Sequence, residues 1–313
     1  MTHNENEMMV FKISYHISYN DKYFCCCGKS VNIYDRSTRK LVAYFKGMNG
    51  PVFSKFISDS RLIVRNENSY LILDIDTKEI VKKLKLPRGS RGANTDFLIT
   101  PDNKTIVAFA GFFPYYQLMM MDIETGQYSL YDLDETRTGD LFYDDTKSEY
   151  YISAFKNRMV NGSDNPKTEF YSLKYPFDTV TLHKLPINKY HNTSKIDYNC
   201  GKFAIAKYNK KIRSEEICIY DMELGTEKRF CCDIDGVLYD LKLSQSCKYI
   251  AVVEAFLVRI FELETNTCIK SFDTNYACFA EFIDDDTKLL IGTWEKGYCV
   301  DLSFESSETV ILN

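Results

Sequence analysis

The 313-residue chain lacks most of what marks a catalyst or a membrane protein. It has a single tryptophan, Trp294, and four histidines, at positions 3, 16, 183 and 191, that do not recur at any fixed spacing. No run of 18 or more apolar residues occurs, which argues against a membrane-spanning helix. No basic leader followed by an apolar stretch opens the sequence; Met1 to Met8 is polar and acidic, so the cytoplasm is the expected location. The sequons at Asn103, Asn161 and Asn192 are then chance occurrences. Glycine is sparse, at 14 residues placed mostly in turns, and neither a glycine-rich phosphate loop nor a G-x-S-x-G nucleophile turn is present. The net charge of −5 is too mild to recruit nucleic acid or anionic lipid through a global field, although a local patch remains open to either.

The 11 cysteines include no C-x-x-C pair. Cys25, Cys26 and Cys27 lie consecutively in an apolar run, and neighbours on a strand point to opposite faces, so these three cannot converge on one ion. The expectation is a set of buried free thiols in a reducing compartment. Asp144-Asp145 and Asp284-Asp285-Asp286 read as solvated turn residues rather than calcium ligands, and His183 and His191, flanking Tyr190, have no second ligand at metal spacing. Neither a metal nor a cofactor is expected.

What the chain does contain is a recurring phrase, an apolar β-type run that ends in an acidic residue and is followed by a short polar turn. It appears at Asn32-Ile33-Tyr34-Asp35, Ile72-Leu73-Asp74, Met119-Met120-Met121-Asp122, Cys218-Ile219-Tyr220-Asp221, Arg259-Ile260-Phe261-Glu262 and Tyr298-Cys299-Val300-Asp301, with Tyr171-Ser172 in the fourth slot. The seven slots recur at about 44 residues, the period of a four-stranded propeller blade. A 45% hydrophobic and 14% aromatic composition supplies the core that such blades bury. Within each period four apolar runs alternate with turns, most clearly at Val237 to Leu243, Tyr249 to Val253, Leu257 to Leu263 and Cys268 to Phe272. The second blade is read over 52–86, the third over 93–133 and the fifth over 196–234. The fold expected is all-β, one seven-bladed β-propeller of four-stranded antiparallel blades filling residues 1–313, with 1–8 as a disordered tail. Val10 to Ser18 is expected to be the first strand of the first blade, and Glu308 to Leu312 the last outer strand that closes the propeller.

At these acidic positions the chain resembles the WD-repeat propeller family, with an aromatic or aliphatic residue plus Asp in the place of that family's Trp-Asp dipeptide. The family's His, Asp, Ser/Thr and Trp network is not reproduced, so Asp35, Asp74, Asp122, Asp221 and Asp301 are read as acceptors that hold turns. The resemblance implies that B–C and D–A loops share one face, and here those loops are enlarged and basic. They carry Arg88 and Arg91, Lys156 and Arg158 before a loop running to Lys167, and Lys207, Lys210, Lys211 and Arg213. Beside them Gly111-Phe112-Phe113-Pro114-Tyr115-Tyr116 concentrates four aromatics, which either fold inward over the blade edge or form an exposed anchor. Trp294, at the end of a B strand, is expected to pack near the channel, with a contact surface as the other reading.

No catalytic constellation is recognisable. The expected function is a non-enzymatic interaction module or scaffold that binds a protein or peptide, acidic or phosphorylated, through the loop-rich face. Two alternatives stand beside it: a propeller enzyme of the metal-dependent lactonase or hydrolase type with a central-channel site, and a structural subunit of an assembly.

Overall fold

In the computed structural model, residues 8–88, 96–112, 115–133, 136–160, 163–177, 179–187, 190–191, 193–209, 213–230, 232, 234, 236–302 and 309–311 are described, with only the backbone at 8, 112, 115, 137–138, 157–160, 163–166 and 309–311. No helix occurs among them, and therefore none long and apolar enough to cross a membrane. The strands form seven sheets, the blades of a seven-bladed β-propeller.

In chain order the strands, lettered A to D within each blade, are as follows. Blade 1 runs His16–Tyr19, Tyr23–Cys27, Val31–Asp35 and Leu41–Phe45. Blade 2 runs Phe53–Phe56, Arg61–Arg65, Ser69–Asp74 and Glu79–Lys85, and blade 3 runs Phe97–Ile99, Thr105–Phe112, Tyr115–Asp122 and Tyr128–Tyr131. Blade 4 has Thr136–Asp144, Glu149–Val160 and Ser163–Lys174, with two short strands, His183–Lys184 and Tyr190–His191, both on the outer side of strand C. Blade 5 runs Thr193–Asn199, Lys202–Asn209, Ser214–Asp221 and Thr226–Phe230; blade 6, Leu238–Leu243, Tyr249–Glu254, Leu257–Glu262 and Cys268–Asp273. Blade 7 has Ala277–Ile283, Lys288–Thr293 and Gly297–Asp301.

The blades fall into two compact units, residues 1–18, 22–42 and 194–313 in one and residues 19–21 and 43–193 in the other. In the first unit, blade 7 lacks a D strand of its own. Met8–Phe11 supplies it, pairing antiparallel with strand C from Met8 opposite Val300 to Phe11 opposite Gly297. Thr309–Ile311 adds in parallel to the outer strand of blade 6. Both termini therefore do something other than the sequence suggested. The N-terminal strand is the outer strand of the last blade rather than the first strand of blade 1, it includes Met8, and the C-terminal strand extends blade 6. The apolar content of Met9 and Phe11, 7% and 3% exposed, accounts for the first difference, since blade 1 strand A is filled by the equally buried Ile17.

The blades adhere face to face, and one strand feeds two cores. In the first unit Ile250 and Val252 of blade 6 pack with Ala204, Ala206, Ile217 and Phe230 of blade 5, while Ala251 and Val253 pack with Ala280, Phe282, Leu289 and Ile291 of blade 7. In the second unit Ile106, Ala108 and Ala110 of blade 3 meet Ile63, Tyr70 and Leu84 of blade 2, while Val107 and Phe109 meet Leu141, Tyr150 and Ile152 of blade 4. A strand covered on both faces must be apolar at every position, which is why the B strands read as unbroken runs. Burying each large side chain contributes about 1.5–3 kcal/mol.

The repeated acid ends strand C and organises the C–D turn. Asp35 accepts the Thr38 N–H at 2.7 Å and the Ser37 hydroxyl at 2.7 Å. Asp74 accepts the N–H groups of Asp76 and Thr77, Asp122 those of Thr125, and Asp221 those of Glu223 and Leu224. These bonds hold the Asp35 carboxyl down to about 2. The residue after each such turn adopts a left-handed backbone, at Arg39, Lys78, Gly126, Gly225 and Asn266. The turn-holding role read from the sequence is thus observed at Asp35, Asp74, Asp122 and Asp221.

A–B turns tie one blade to the next. Asn199 of blade 5 donates its amide to the Ser244 carbonyl of blade 6 at 3.0 Å, and Asp286 of blade 7 accepts the N–H groups of Gln245 and Ser246 at 2.7 and 2.9 Å. Asp286 is 4% exposed, and Asp284 to Asp286 all carry left-handed backbone angles. Asp284 pairs with Arg36 and Lys288, so this acidic run is a clasp rather than a solvated turn. Replacing Asp286 by alanine removes the acceptor of two N–H groups on the exposed Gln245 and Ser246 and is expected to cost about 1–2 kcal/mol in thermal or urea unfolding. Asp285→Ala, at an exposed position with the same backbone angle, is expected to change stability by under about 0.5 kcal/mol.

Candidate functional site

Among the exposed apolar side chains, three on the B–C and D–A connections of the first unit form an aromatic row in mutual ring contact. Phe256, Tyr276 and Trp294 are 59%, 46% and 56% exposed. Their rings touch in sequence. Phe256 and Tyr276 lie 5.2 Å apart, and Tyr276 stacks on Trp294 at 6.1 Å with an angle of 28°. The half-buried Tyr15 meets the other side of Trp294 edge-on at 6.4 Å.

Backbone bonds fix this row from beneath. The Thr274 N–H donates to the Phe256 carbonyl, the Ala277 N–H to the Ala255 carbonyl, and the Trp294 N–H to the Tyr276 carbonyl. Thr293 closes the B–C turn of blade 7, its hydroxyl accepting the N–H groups of Glu295 and Lys296 at 3.1 and 2.9 Å. Tyr276 sits at φ 54°, a left-handed conformation that an aromatic residue adopts only under constraint. Three cross-bonded connections, one of them strained at Tyr276, present the rings together.

Comparisons with known proteins give the fold alone. No family model matches the chain, and no curated protein does either. A solved structure of a computationally designed protein, Ika8, is similar over 92% of this chain and 84% of its own length, with a TM-score of 0.59 and 12% identity. At that identity the likeness extends to the architecture and to no activity.

The residues singled out from the sequence fall differently from expectation. Trp294 is on the surface rather than packed near a channel, because the tight Thr293–Lys296 turn leaves its ring no core to enter. The third-blade segment expected to be a loop is a hairpin, with Phe112 opposite Tyr115 and the half-buried Tyr116 packed on the core between blades 3 and 4. The fourth-blade segment expected as a loop is likewise a continuous ribbon, paired from Glu149 opposite Lys174 to Val160 opposite Ser163. Its polar composition reflects a two-stranded extension beyond the sheet rather than irregular chain. Arg88 and Arg213 are exposed, and Lys207 lies 3.7 Å from Glu227. Phe113, Arg91, Lys210 and Lys211 lie outside the described residues, as do the side chains of Phe112, Tyr115 and Arg158.

Lys156 is the clearest correction, being 5% exposed and enclosed by its own blade. It faces Lys167 directly across the ribbon, a repulsive pairing. Glu169 resolves it, bonding Lys156 at 3.0 Å, Lys184 at 2.8 Å and Lys167, while the Tyr171 hydroxyl donates to it at 2.7 Å. Burial works to raise the Glu169 pKa, and the bonds from Lys167, Lys184, Tyr171 and Lys156 outweigh it and hold the carboxyl far below the usual range. The basic cluster is therefore neutralised in part from within.

A second charged group was missed by the sequence reading because it is assembled from three strands. Asp197, Asp240 with Lys242, and Glu281 lie on the A strands of blades 5, 6 and 7. Lys242 bridges Asp197 at 3.2 Å and Glu281 at 3.0 Å, and Asp197 also accepts the Leu243 N–H at 2.7 Å. Asp240 accepts the Ala280 N–H at 3.1 Å, and removal from water pushes its carboxyl up to about 6. Phe256 and Tyr276 were missed too, although both are aromatics in turn slots where the alternation assigns polar residues.

Glu169→Gln strands Lys156 without its carboxylate and is expected to cost about 3 kcal/mol at pH 7. Because the folded carboxyl titrates below the unfolded one, its stabilisation is complete above the unfolded pKa of about 4.3 and is lost as pH falls towards the folded value. The difference in melting temperature between variant and wild type is expected to hold from pH 7 to about 5 and to narrow, without closing, between about pH 4 and pH 3.

Proposed function

We propose that this chain is a non-enzymatic interaction module that docks a protein or peptide partner on the aromatic row. The observation that carries the proposal is Tyr276, held at φ 54° with its ring stacked on an exposed Trp294. A strained backbone that keeps two large rings half in water costs stability and leaves apolar area uncovered. A partner that covers the rings recovers that area without having to order them. Rigid aromatics with few rotatable bonds are the side chains that most often dominate binding energy. The propeller architecture commonly serves as an interaction scaffold, which is consistent with this reading. The basic B–C segment around Arg213 remains the second surface on which an acidic or phosphorylated segment would rest, and the cytoplasm the compartment in which it would act.

Affinity capture from native extract tests the assignment with three baits: wild type, Trp294→Ala with Tyr276→Ala, and Lys210→Glu with Lys211→Glu and Arg213→Glu. The aromatic variant is expected to lose the specifically recovered protein, a weakening of about 30-fold or more, with its melting temperature within about 2 °C of wild type. Loss confined to the charge-reversed bait would move the docking surface to the basic segment, and undiminished recovery by both would sink the proposal.

An enzymatic reading draws on the charged cluster of Asp197, Asp240, Lys242 and Glu281 on three A strands, where burial pushes the Asp240 carboxyl up to about 6. Wild-type protein that hydrolyses simple lactones or esters, with the activity falling at least about 100-fold in Asp240→Asn, would favour it.

A further inference from the structure

Two cysteines on successive A–B turns of the first unit face each other. Cys200 follows strand A of blade 5 and Cys247 stands in the corresponding turn of blade 6. Both have left-handed backbone angles, φ 46° and 52°, where blades 3 and 4 place Asn103 and Ser148. The thiols clasp the opposite turns reciprocally, with Cys200 Sγ donating to the Gln245 carbonyl at 2.8 Å and Cys247 Sγ to the Asn199 carbonyl at 3.1 Å. The Asn199 amide bonded to the Ser244 carbonyl holds the two turns at this separation.

Access to the pair is asymmetric. Cys200 is exposed, whereas Cys247 is half-buried and lines a cavity of about 330 Å³ walled by Ile219, Phe230 and Leu263, with Lys202 and Lys228 at its polar side. Burial keeps the Cys247 thiol protonated well above its ordinary range. The other thiols differ from this pair. Cys25, Cys26 and Cys27 are wholly buried, and the exposed Cys268 is directed at the Lys270 carbonyl.

We propose that Cys200 and Cys247 are a redox-active dithiol that closes to a disulfide between blades 5 and 6 on contact with a peroxide. The Cys200 thiolate attacks one peroxide oxygen, an S–O bond forms and the O–O bond breaks, and hydroxide leaves to take up the thiol proton as water. The Cys247 sulfur then attacks the Cys200 sulfenic acid; the S–S bond forms, the S–O bond breaks, and a second hydroxide leaves with the Cys247 proton. Two thiols lose two electrons, and the peroxide is reduced to two waters. Closing the bond exchanges the two thiol–carbonyl contacts for a sulfur–sulfur bond of about 2.05 Å. It also withdraws Cys247 from the cavity wall and staples two turns that only hydrogen bonds joined before. The inference is independent of the aromatic row.

The test uses the full-length protein, reduced, freed of reductant and exposed to increasing hydrogen peroxide before alkylation and peptide mapping. A Cys200–Cys247 linked peptide, two hydrogens lighter than its parts, is expected to form at least about tenfold faster than any change at Cys268, to disappear with reductant, and to raise the melting temperature by about 5 °C. In Cys247→Ser, the oxidation is expected to stop at a Cys200 sulfenic acid that dimedone traps, whereas wild type yields little of that adduct. Equal trapping in both proteins, a Cys200 sulfinic acid with Cys247 still alkylatable, or disulfides of Cys200 only between two copies would each overturn the proposal.

Discussion

Blades 3 and 6 each depend on having two apolar faces. A four-stranded sheet with one dry face would be satisfied by a single partner, but here successive residues of one strand belong to different cores, Ile250 and Val252 to one side and Ala251 and Val253 to the other. Small residues in the B strands, Ala204 and Ala206 or Ala108 and Ala110, let the next sheet approach, and large ones such as Phe282 and Phe109 fill the wedge. Because both faces are committed to packing, recognition chemistry is confined to strand ends and connections. That division of labour explains why the charged and aromatic features described above all sit at turns, on ribbon extensions or on the lightly covered A strands.

The connections are themselves divided by chemistry. C–D turns are closed locally, each acid accepting the N–H three residues on, and neighbours add only side-chain bonds such as Lys228 to the Glu264 carbonyl and Arg36 to Asp284. A–B turns reach across to adjacent blades through Asn199, Asp286 and the paired thiols. B–C and D–A connections around blades 6 and 7 carry rings in place of polar caps. One end of the strands thus holds the blades together while the other displays side chains. A covalent bond at Cys200 and Cys247 would act on the first without touching the second.

The fold was legible in the sequence because its two strongest signals are local. The acid that ends strand C recurs with the period of a blade, and the four-run parsing of blade 6 matches its strands closely. The terminal strands were misplaced for the opposite reason: Met8–Phe11 and Gly297–Val300 are nearly the full chain apart, and alternation within a segment cannot say which edge it joins. Polar composition misled where a ribbon leaves the sheet, so Lys156 read as a loop cation although Glu169, thirteen positions on, encloses it. Trp294 was visible as the lone tryptophan, but the row it belongs to is built from three connections whose proximity only the fold supplies. The same holds for Asp197, Lys242 and Glu281, one from each of three A strands.

The borrowed outer strand of blade 7 sets the order of events as the chain is made. Met8–Phe11 emerges from the ribosome long before Gly297–Val300, the edge it must join. Met9 and Phe11 remain without their pairing edge while all the strands between are made, and blade 7 is completed only by a contact of very high sequence separation. Blades 2 to 6 have no such dependence, since each is a meander of neighbouring strands that can assemble as it appears. The newborn protein is accordingly a row of finished blades awaiting one loop closure, and the interval before that closure is when it is most open to pairing with another chain.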